Sequence, residues 1–99
     1  MKIAATAILE VLNKADIEGL LRLGAPADEY VSEAQLISEA IAQAGDSKHT
    51  QARVEDLVRD VWVTRFGPFS EEQIEKRSGV FSQVARDILG RYQIRGDDR

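Results

Sequence analysis

Apolar residues recur every three or four positions in four stretches of this chain of 99 residues. That spacing places them on one side of an α-helix, and the alternation typical of β-strands is missing. Glycine, proline and polar turns separate the four stretches, so the connections between them are short. The sequence therefore predicts an all-α fold: a compact, four-helix, antiparallel bundle formed by a single helical domain over residues 1–95, with a frayed C-terminal tail over 96–99.

The predicted helices follow these apolar stripes. Helix 1 is expected over about residues 3–14, helix 2 ends near residue 44, helix 3 spans about 51–66, and helix 4 runs for more than twenty residues from about 71. The predicted core is the set of residues on the four stripes: Ile3, Ala4, Ala7, Ile8, Val11 and Leu12; Tyr30, Ala34, Ile37, Ile41 and Ala44; Val54, Leu57, Val58, Val61, Trp62, Arg65 and Phe66; and Ile74, Phe81, Val84, Ala85, Ile88, Leu89 and Tyr92.

Capping residues mark where the helices begin. Ser70 and Gln73 have the spacing of a capping box and predict the start of helix 4. Thr50 is the expected N-cap of helix 3. The start of helix 2 falls between Asp28 and Ser32, and we favour Ser32 as its N-cap because a glutamine follows three residues later.

The composition favours a chain that folds in a reducing compartment. Apolar residues make up 43% of the sequence and charged residues 30%, and there is no cysteine. Without cysteine there is neither a disulfide framework nor thiolate chemistry, so we expect a cytoplasmic location. Glu10 interrupts the apolar start, which favours an amphipathic helix over a signal peptide. No apolar run approaches the ~18 residues of a membrane span, so we predict no membrane association.

The net charge of −4 narrows the class of partner. An acidic chain is repelled by phosphate backbones, which argues against a nucleic-acid partner. A basic protein surface would suit this chain better. We therefore expect the partner to be a protein, and a basic one.

Residues 16–30, between helices 1 and 2, are hard to explain by amphipathic packing alone. Gly24 can adopt positive φ, and Pro26 prevents a helix from running through the segment. Three leucines within residues 20–23 are apolar side chains that a purely flexible loop would not carry. We therefore predict a structured segment, called here the connector.

The connector also resembles a known family. The YugE-like family of small uncharacterised bacterial proteins shares the signature Asp-Pro-x-Gly-Leu-Leu followed by Gly-Ala-Pro-x-Asp-Glu-Tyr, and a second landmark with Trp followed by Phe-Gly, which VWVTRFGP at 61–68 resembles. The resemblance implies an all-α fold and an unassigned function, and it brings no catalytic residues. This chain departs from the pattern at Ile17, where the family usually has Pro, and at Val31 and Ser32, where it usually has Asp-Pro. The matching residues are Asp16, Gly19, Leu20, Leu21, Gly24, Ala25, Pro26, Asp28, Glu29 and Tyr30.

Acidic residues cluster in and around the connector. Their simplest interpretation is a solvated acidic face, which is also the candidate partner-binding surface. Paired carboxylates can bind a metal or move protons, but metal sites in helical bundles use Glu-x-x-His pairs, which this chain lacks. His49 is the only histidine, and one histidine cannot form a zinc site. We predict no catalytic, cofactor or metal residues, and the candidate partner-binding residues are Asp16, Glu18, Asp28, Glu29 and Glu33.

Two features of helices 3 and 4 have alternative interpretations. Trp62 and Phe66 could anchor an interface, but their place beside the helix 3 stripe favours burial. A basic strip on helix 4, interleaved with Asp87, is most simply a charged helix face. The strip consists of Arg86, Arg91 and Arg95.

The function that these observations favour is a non-enzymatic protein–protein interaction module. One version is an immunity-type protein that neutralises a basic toxin, because complementary charge would speed association. The first alternative is a self-associating structural subunit that uses Leu9, Val63 and parts of helix 4. The second is a carboxylate-metal enzyme. The sequence does not determine the oligomeric state.

Overall fold

The computed structural model describes residues 3–43 and 50–97, with side chains as far as residue 91. It contains four helices, α1 (Ala5–Ala15), α2 (Val31–Gln43), α3 (Gln51–Phe66) and α4 (Glu71–Asp97). No strand is present in the described part of the chain, so the predicted all-α, four-helix domain is confirmed. Among these helices, none combines the length and apolarity that a membrane span requires.

The four helices form a closed ring in which each contacts two neighbours. α1 packs against α2 and α4, and α3 packs against the same two helices. Ser38 in α2 donates a hydrogen bond to the carbonyl of Ile3, just before α1, at 2.7 Å. Asn13 near the end of α1 donates to the carbonyl of Ala27, ahead of α2, at 3.0 Å. These contacts join opposite ends of α1 and α2, so the two helices are antiparallel.

The same pattern relates α3 to its neighbours. Arg65 at the end of α3 contacts Glu33 at the start of α2, with Nε and Oε2 2.9 Å apart. Gln51 at the start of α3 donates to the hydroxyl of Ser82, in the middle of α4, at 2.9 Å. The bundle is therefore antiparallel around α3 as well.

The core lies along the shared axis of the ring. Trp62 and Tyr30 are its largest fully buried side chains, so the burial expected for Trp62 is confirmed. Three residues predicted in the core lie outside it: Ala4 is exposed, the side chain of Arg65 is 45% exposed, and Ile74 is half-buried without packing against the core. Ala44 falls outside the described residues, as does the side chain of Tyr92. The buried apolar residues are Ile3, Ile8, Val11, Leu12, Tyr30, Ala34, Ile37, Ile41, Val54, Val58, Trp62, Phe81, Val84, Ala85 and Ile88.

Two of the three predicted caps are confirmed. The hydroxyl of Thr50 accepts a hydrogen bond from the N–H of Arg53 at 3.2 Å and caps α3. Ser70 and Gln73 form a reciprocal capping box, with the Gln73 N–H donating to the Ser70 hydroxyl at 3.2 Å and the Ser70 N–H donating to Oε1 of Gln73 at 2.8 Å. These hydrogen bonds satisfy backbone donors that a helix start leaves unpaired.

The start of α2 differs from the cap that the sequence favoured. α2 begins at Val31, and the N–H of Ala34 donates to the carbonyl of Tyr30 at 3.0 Å. Ser32 therefore lies inside the first turn and is not the N-cap. The helix still begins within the predicted interval from 28 to 32. At the other end of the chain, α4 continues to Asp97, two residues past the predicted domain end at 95.

Candidate functional site

The connector, residues 16–30, leaves α1 through a left-handed turn. Asp16 is the C-cap of α1 with φ 44° and ψ 56°, a conformation that aspartate tolerates better than most residues. Gly19 and Gly24 also have positive φ, at 71° and 102°. A backbone hydrogen bond from the N–H of Ala25 to the carbonyl of Leu20, 3.0 Å long, closes the turn between the two glycines. The connector is therefore a chain of defined turns, as the sequence predicted.

The carboxylate of Asp16 organises the connector from inside. Its Oδ1 accepts hydrogen bonds from the hydroxyl of Tyr30 at 2.7 Å and from the N–H of Leu21 at 3.1 Å. Its Oδ2 accepts one from the N–H of Arg22 at 3.1 Å. The side chain of Asp16 is only 7% exposed. One carboxylate thus ties together the beginning, the middle and the end of the connector.

These hydrogen bonds set the protonation states of Asp16 and Tyr30. Burial alone would raise the pKa of Asp16, but the hydrogen bonds from Tyr30, Leu21 and Arg22 outweigh it and lower that pKa below its usual value. Burial and the hydrogen bond to Asp16 raise the pKa of the Tyr30 phenol to about 12. The pair is therefore held as a carboxylate and a neutral phenol at neutral pH.

Glu18 joins the connector to α3 and α4. Its Oε2 accepts hydrogen bonds from Nε1 of Trp62 and from Nε of Arg77, both at 2.8 Å, and its Oε1 accepts one from Nη2 of Arg77 at 2.9 Å. The guanidinium of Arg77 lies over the ring of Phe69, 4.3 Å from its centroid. The hydrogen bonds from Arg77 are the main cause of the lowered pKa of Glu18. This two-pronged contact fixes the orientation of both side chains.

Glu33 performs a third internal role at the start of α2. Its side chain is 5% exposed, and its Oε2 pairs with Nε of Arg65 at 2.9 Å. Its Oε1 is buried and has no hydrogen-bond partner among the described residues. Removing Arg65 would therefore leave a buried charge without compensation.

Tyr30, at the end of the connector, forms an aromatic cluster with Trp62 and Phe66 of α3. The ring centroid of Trp62 is 5.7 Å from that of Tyr30 and 4.9 Å from that of Phe66. Tyr30 and Phe66 meet edge to face at 6.4 Å. The polar atoms of Tyr30 and Trp62 both point to connector carboxylates, so the cluster supports the connector through packing and hydrogen bonds together.

The predicted solvated acidic face is wrong for three of its five residues. Asp16 and Glu33 are buried, and Glu18 is mostly enclosed by its partners. Asp28 and Glu29 are exposed and lie together in the turn just before α2. Five residues before Asp28, Leu23 is 83% exposed, so it does not contribute to the packing of the connector. Leu20 and Leu21 do pack against the core.

No group of three or more histidine, cysteine, aspartate or glutamate side chains in the described ranges is arranged to hold a metal ion. Asp16, Glu18 and Glu33 contact different donors: a phenol with backbone amides, an indole with Arg77, and Arg65. His49 falls outside the described residues. Asp16, Glu18 and Glu33 thus serve as separate structural acceptors.

Sequence reasoning missed Arg77 and did not link Glu33 to Arg65. Arg65 was already placed on the predicted stripe of helix 3, and a signal for Arg77 and Glu33 was present in the helical phase. Arg77 lies three residues after Ile74 and four before Phe81, and Glu33 lies four residues before Ile37, so both charges fall on core-facing stripes. A charged residue in phase with the core predicts a buried ionic partner.

Comparison with protein-family models, with curated proteins and with solved structures finds no match to this chain.

Proposed function

We propose that this protein is a non-enzymatic protein–protein interaction module whose connector docks on a basic protein partner. The docking surface consists of Leu23, Asp28 and Glu29, which are all exposed residues of the connector. A cytoplasmic location and membership of the YugE-like family belong to the same proposal. An immunity-type protein that neutralises a basic toxin is the specific version that we favour.

The observation that carries this proposal is the internal bracing of the connector. Asp16 and Glu18 hold the segment to the bundle through buried and partly buried hydrogen bonds, while Leu23 remains exposed. A loop that is already ordered loses little conformational entropy when it binds. An exposed leucine on a fixed turn can therefore fill a pocket in a partner at small entropic cost.

Charge supports a basic partner over a neutral one. The chain has a net charge of −4, and Asp28 and Glu29 place two negative charges on the same turn. Complementary charge accelerates association and disfavours acidic competitors. The affinity would then fall with added salt, because exposed charges are screened over about 8 Å at physiological ionic strength.

Affinity capture from a lysate of the source organism, with charge-reversal variants, tests this surface. The variant Asp28→Lys/Glu29→Lys should lose the partner that the wild-type protein captures. The matched control is Glu71→Lys/Glu72→Lys, which reverses two carboxylates in the first turn of α4 and should keep the partner. Equal capture by both double variants would reject the connector as the docking surface.

Leu23→Ser tests the apolar part of the same surface. It should weaken the interaction without changing the fold, while Leu36→Ser, at the other exposed large apolar side chain of the described chain, should not. Light scattering of the isolated protein separates this function from self-association through Leu9 and Val63, which are both half-buried. A mass above that of the 11.0 kDa monomer would favour self-association.

A further inference from the structure

The groove between α1 and α4 has a charge opposite to that of the protein as a whole. It has a volume of about 350 Å³ and is lined by three cationic side chains and one carboxylate, and Glu10, which pairs with Arg91, adds a second carboxylate at its edge. Its floor includes Val11 and Gly90. Small-molecule sites of ~300–1,000 Å³ commonly combine an apolar floor with a few charged groups. The lining residues are Val11, Lys14, Arg86, Asp87, Gly90 and Arg91.

The cations of the groove are only lightly engaged by the protein. Within the described residues, neither Lys14 nor Arg86 forms an ion pair. Arg91 pairs with Glu10 at 3.1 Å, but both side chains are exposed, at 40% and 65%, and such surface pairs contribute little. The cationic groups are thus accessible to an anion.

The carboxylate of the lining has its own partner. Asp87 accepts a hydrogen bond from Nε2 of Gln83 at 3.0 Å, and Oε1 of Gln83 accepts one from Nη1 of Arg86 at 3.2 Å. Gln83 therefore stands between Asp87 and Arg86. This arrangement leaves the remaining donors of Arg86 available to a ligand.

Gly90 is the least expected residue of the lining. A glycine inside a helix destabilises it by roughly 0.5–1 kcal/mol relative to alanine. A Cβ atom added at Gly90 would meet no atom within 4 Å, so packing does not require glycine there. Because Gly90 has no side chain, the space between Val11 and the cationic side chains of the groove stays open.

We propose that this groove binds a small phosphomonoester. Its three cationic side chains outnumber the carboxylates of Asp87 and Glu10, and a phosphate monoester dianion, which carries about −1.5 to −2 at pH 7, can displace the exposed Glu10 from Arg91. The planar guanidinium groups of Arg86 and Arg91 can each donate two parallel hydrogen bonds to phosphate oxygens, and Lys14 adds a third cation. The organic part of the ligand rests on Val11 and Gly90. A long nucleic acid is excluded because the rest of the acidic surface repels it.

Titration with phenyl phosphate, followed by the backbone amide shifts of the full-length protein, tests the proposal. We expect saturable shifts in residues 86–91 and 11–14, weak shifts with the monoanion benzoate, and none with phenol. Absence of saturation with phenyl phosphate would overturn the proposal. Equal binding of benzoate would overturn the assignment to a dianion, and equal binding of phenol would show apolar adsorption only.

Two pairs of variants locate the site. Gly90→Leu fills the floor and should abolish the shifts, while Gly79→Leu, at another helical glycine with open space around its Cβ, should leave them unchanged. Arg86→Gln should weaken binding about tenfold, which is the loss of a charge-assisted hydrogen-bond pair, and Lys76→Gln should not weaken it. Circular dichroism checks that each variant is folded. Unchanged binding in Gly90→Leu would place the ligand elsewhere.

Discussion

The two ends of the connector carry the same kinds of side chain in opposite surroundings. At the start, Asp16 and Glu18 are enclosed and accept hydrogen bonds from groups far along the chain. At the end, Asp28 and Glu29 are exposed to solvent. The comparison shows that carboxylates in one short segment can have different surroundings: two hold the loop in place, and two face the solvent. Substitutions at the two ends of the connector distinguish the enclosed carboxylates from the exposed ones.

The largest effect is expected at Asp16. Asp16→Ala leaves the buried Tyr30 hydroxyl and two backbone N–H groups without an acceptor and places alanine at positive φ, which it disfavours. The melting temperature should fall by on the order of 10 °C. Asp16→Asn should lose less, because asparagine tolerates this φ and keeps one acceptor oxygen. Asp28→Asn is the matched control, and a comparable loss there would remove the distinction between the two ends.

A double-mutant cycle between Glu18 and Arg77 gives the next largest effect. The pair is mostly enclosed and bidentate, so a coupling free energy of ~1–3 kcal/mol is expected between Glu18→Gln and Arg77→Gln in urea unfolding. The exposed pair Glu72 and Lys76, with Oε1 and Nζ 3.9 Å apart, should give ~0–0.5 kcal/mol. Coupling of equal size in the two cycles would contradict a structural role for Glu18.

Stability should also depend on pH at both extremes. The pKa values of Asp16 and Glu18 are lowered by folding, so their contribution is present above the unfolded values of ~4 and is lost as pH falls through the lower folded values. The pKa of Tyr30 is raised to about 12, so its contribution is present below ~10 and is lost as pH rises toward 12.

Urea unfolding at a series of pH values measures both losses. Asp16→Asn should reduce the decrease in the free energy of unfolding that the wild-type protein shows as the pH falls. In a Tyr92→Phe background, phenolate absorbance should report the titration of Tyr30 alone, near pH 12. Titration of this tyrosine near pH 10 would show that its hydroxyl is not held by Asp16.

The smallest effect on stability is expected at the exposed end. Asp28→Lys/Glu29→Lys should change the free energy of unfolding by less than ~1 kcal/mol, mostly through the charge at the start of α2. This is the same variant that should lose the partner in affinity capture. Loss of the partner together with a large loss of stability would instead indicate misfolding.

The fold could be predicted because the sequence of each helix contains local signals that indicate it. The stripe through Val54, Val58 and Trp62 is regular, and Ser70 with Gln73 marks a helix start from side chains alone. Ser32 was wrongly favoured as the N-cap of α2 because its capping-box spacing was the only local signal. The turns that lead into α2 let the carbonyl of Tyr30 accept the first helical hydrogen bond instead. Cap position depends on the path of the preceding loop, which the local sequence does not determine.

The site could be predicted only in part. The connector was identified from its glycines, proline and acidic residues, but those features do not distinguish buried from exposed carboxylates. Asp16 lies four residues after the buried Leu12, and that phase indicates the core side. Asp28 and Glu29 are outside any helix, so no such phase exists for them. The partners of Glu18, 44 and 59 residues away, depend on how helices dock, which single-sequence patterns do not specify.

The contacts of Glu18 also have a consequence for biosynthesis. Its indole and guanidinium donors belong to α3 and α4, so a nascent chain that has emerged only as far as residue 43 has Asp16 and the Asn13–Ala27 hydrogen bond to shape the connector but lacks the contacts of Glu18. The connector therefore gains its contacts with Trp62 and Arg77 only after α3 and the first part of α4 have left the ribosome. A chain that stops before α4 would lack the hydrogen bonds that Arg77 donates to Glu18, so its connector would be held less firmly.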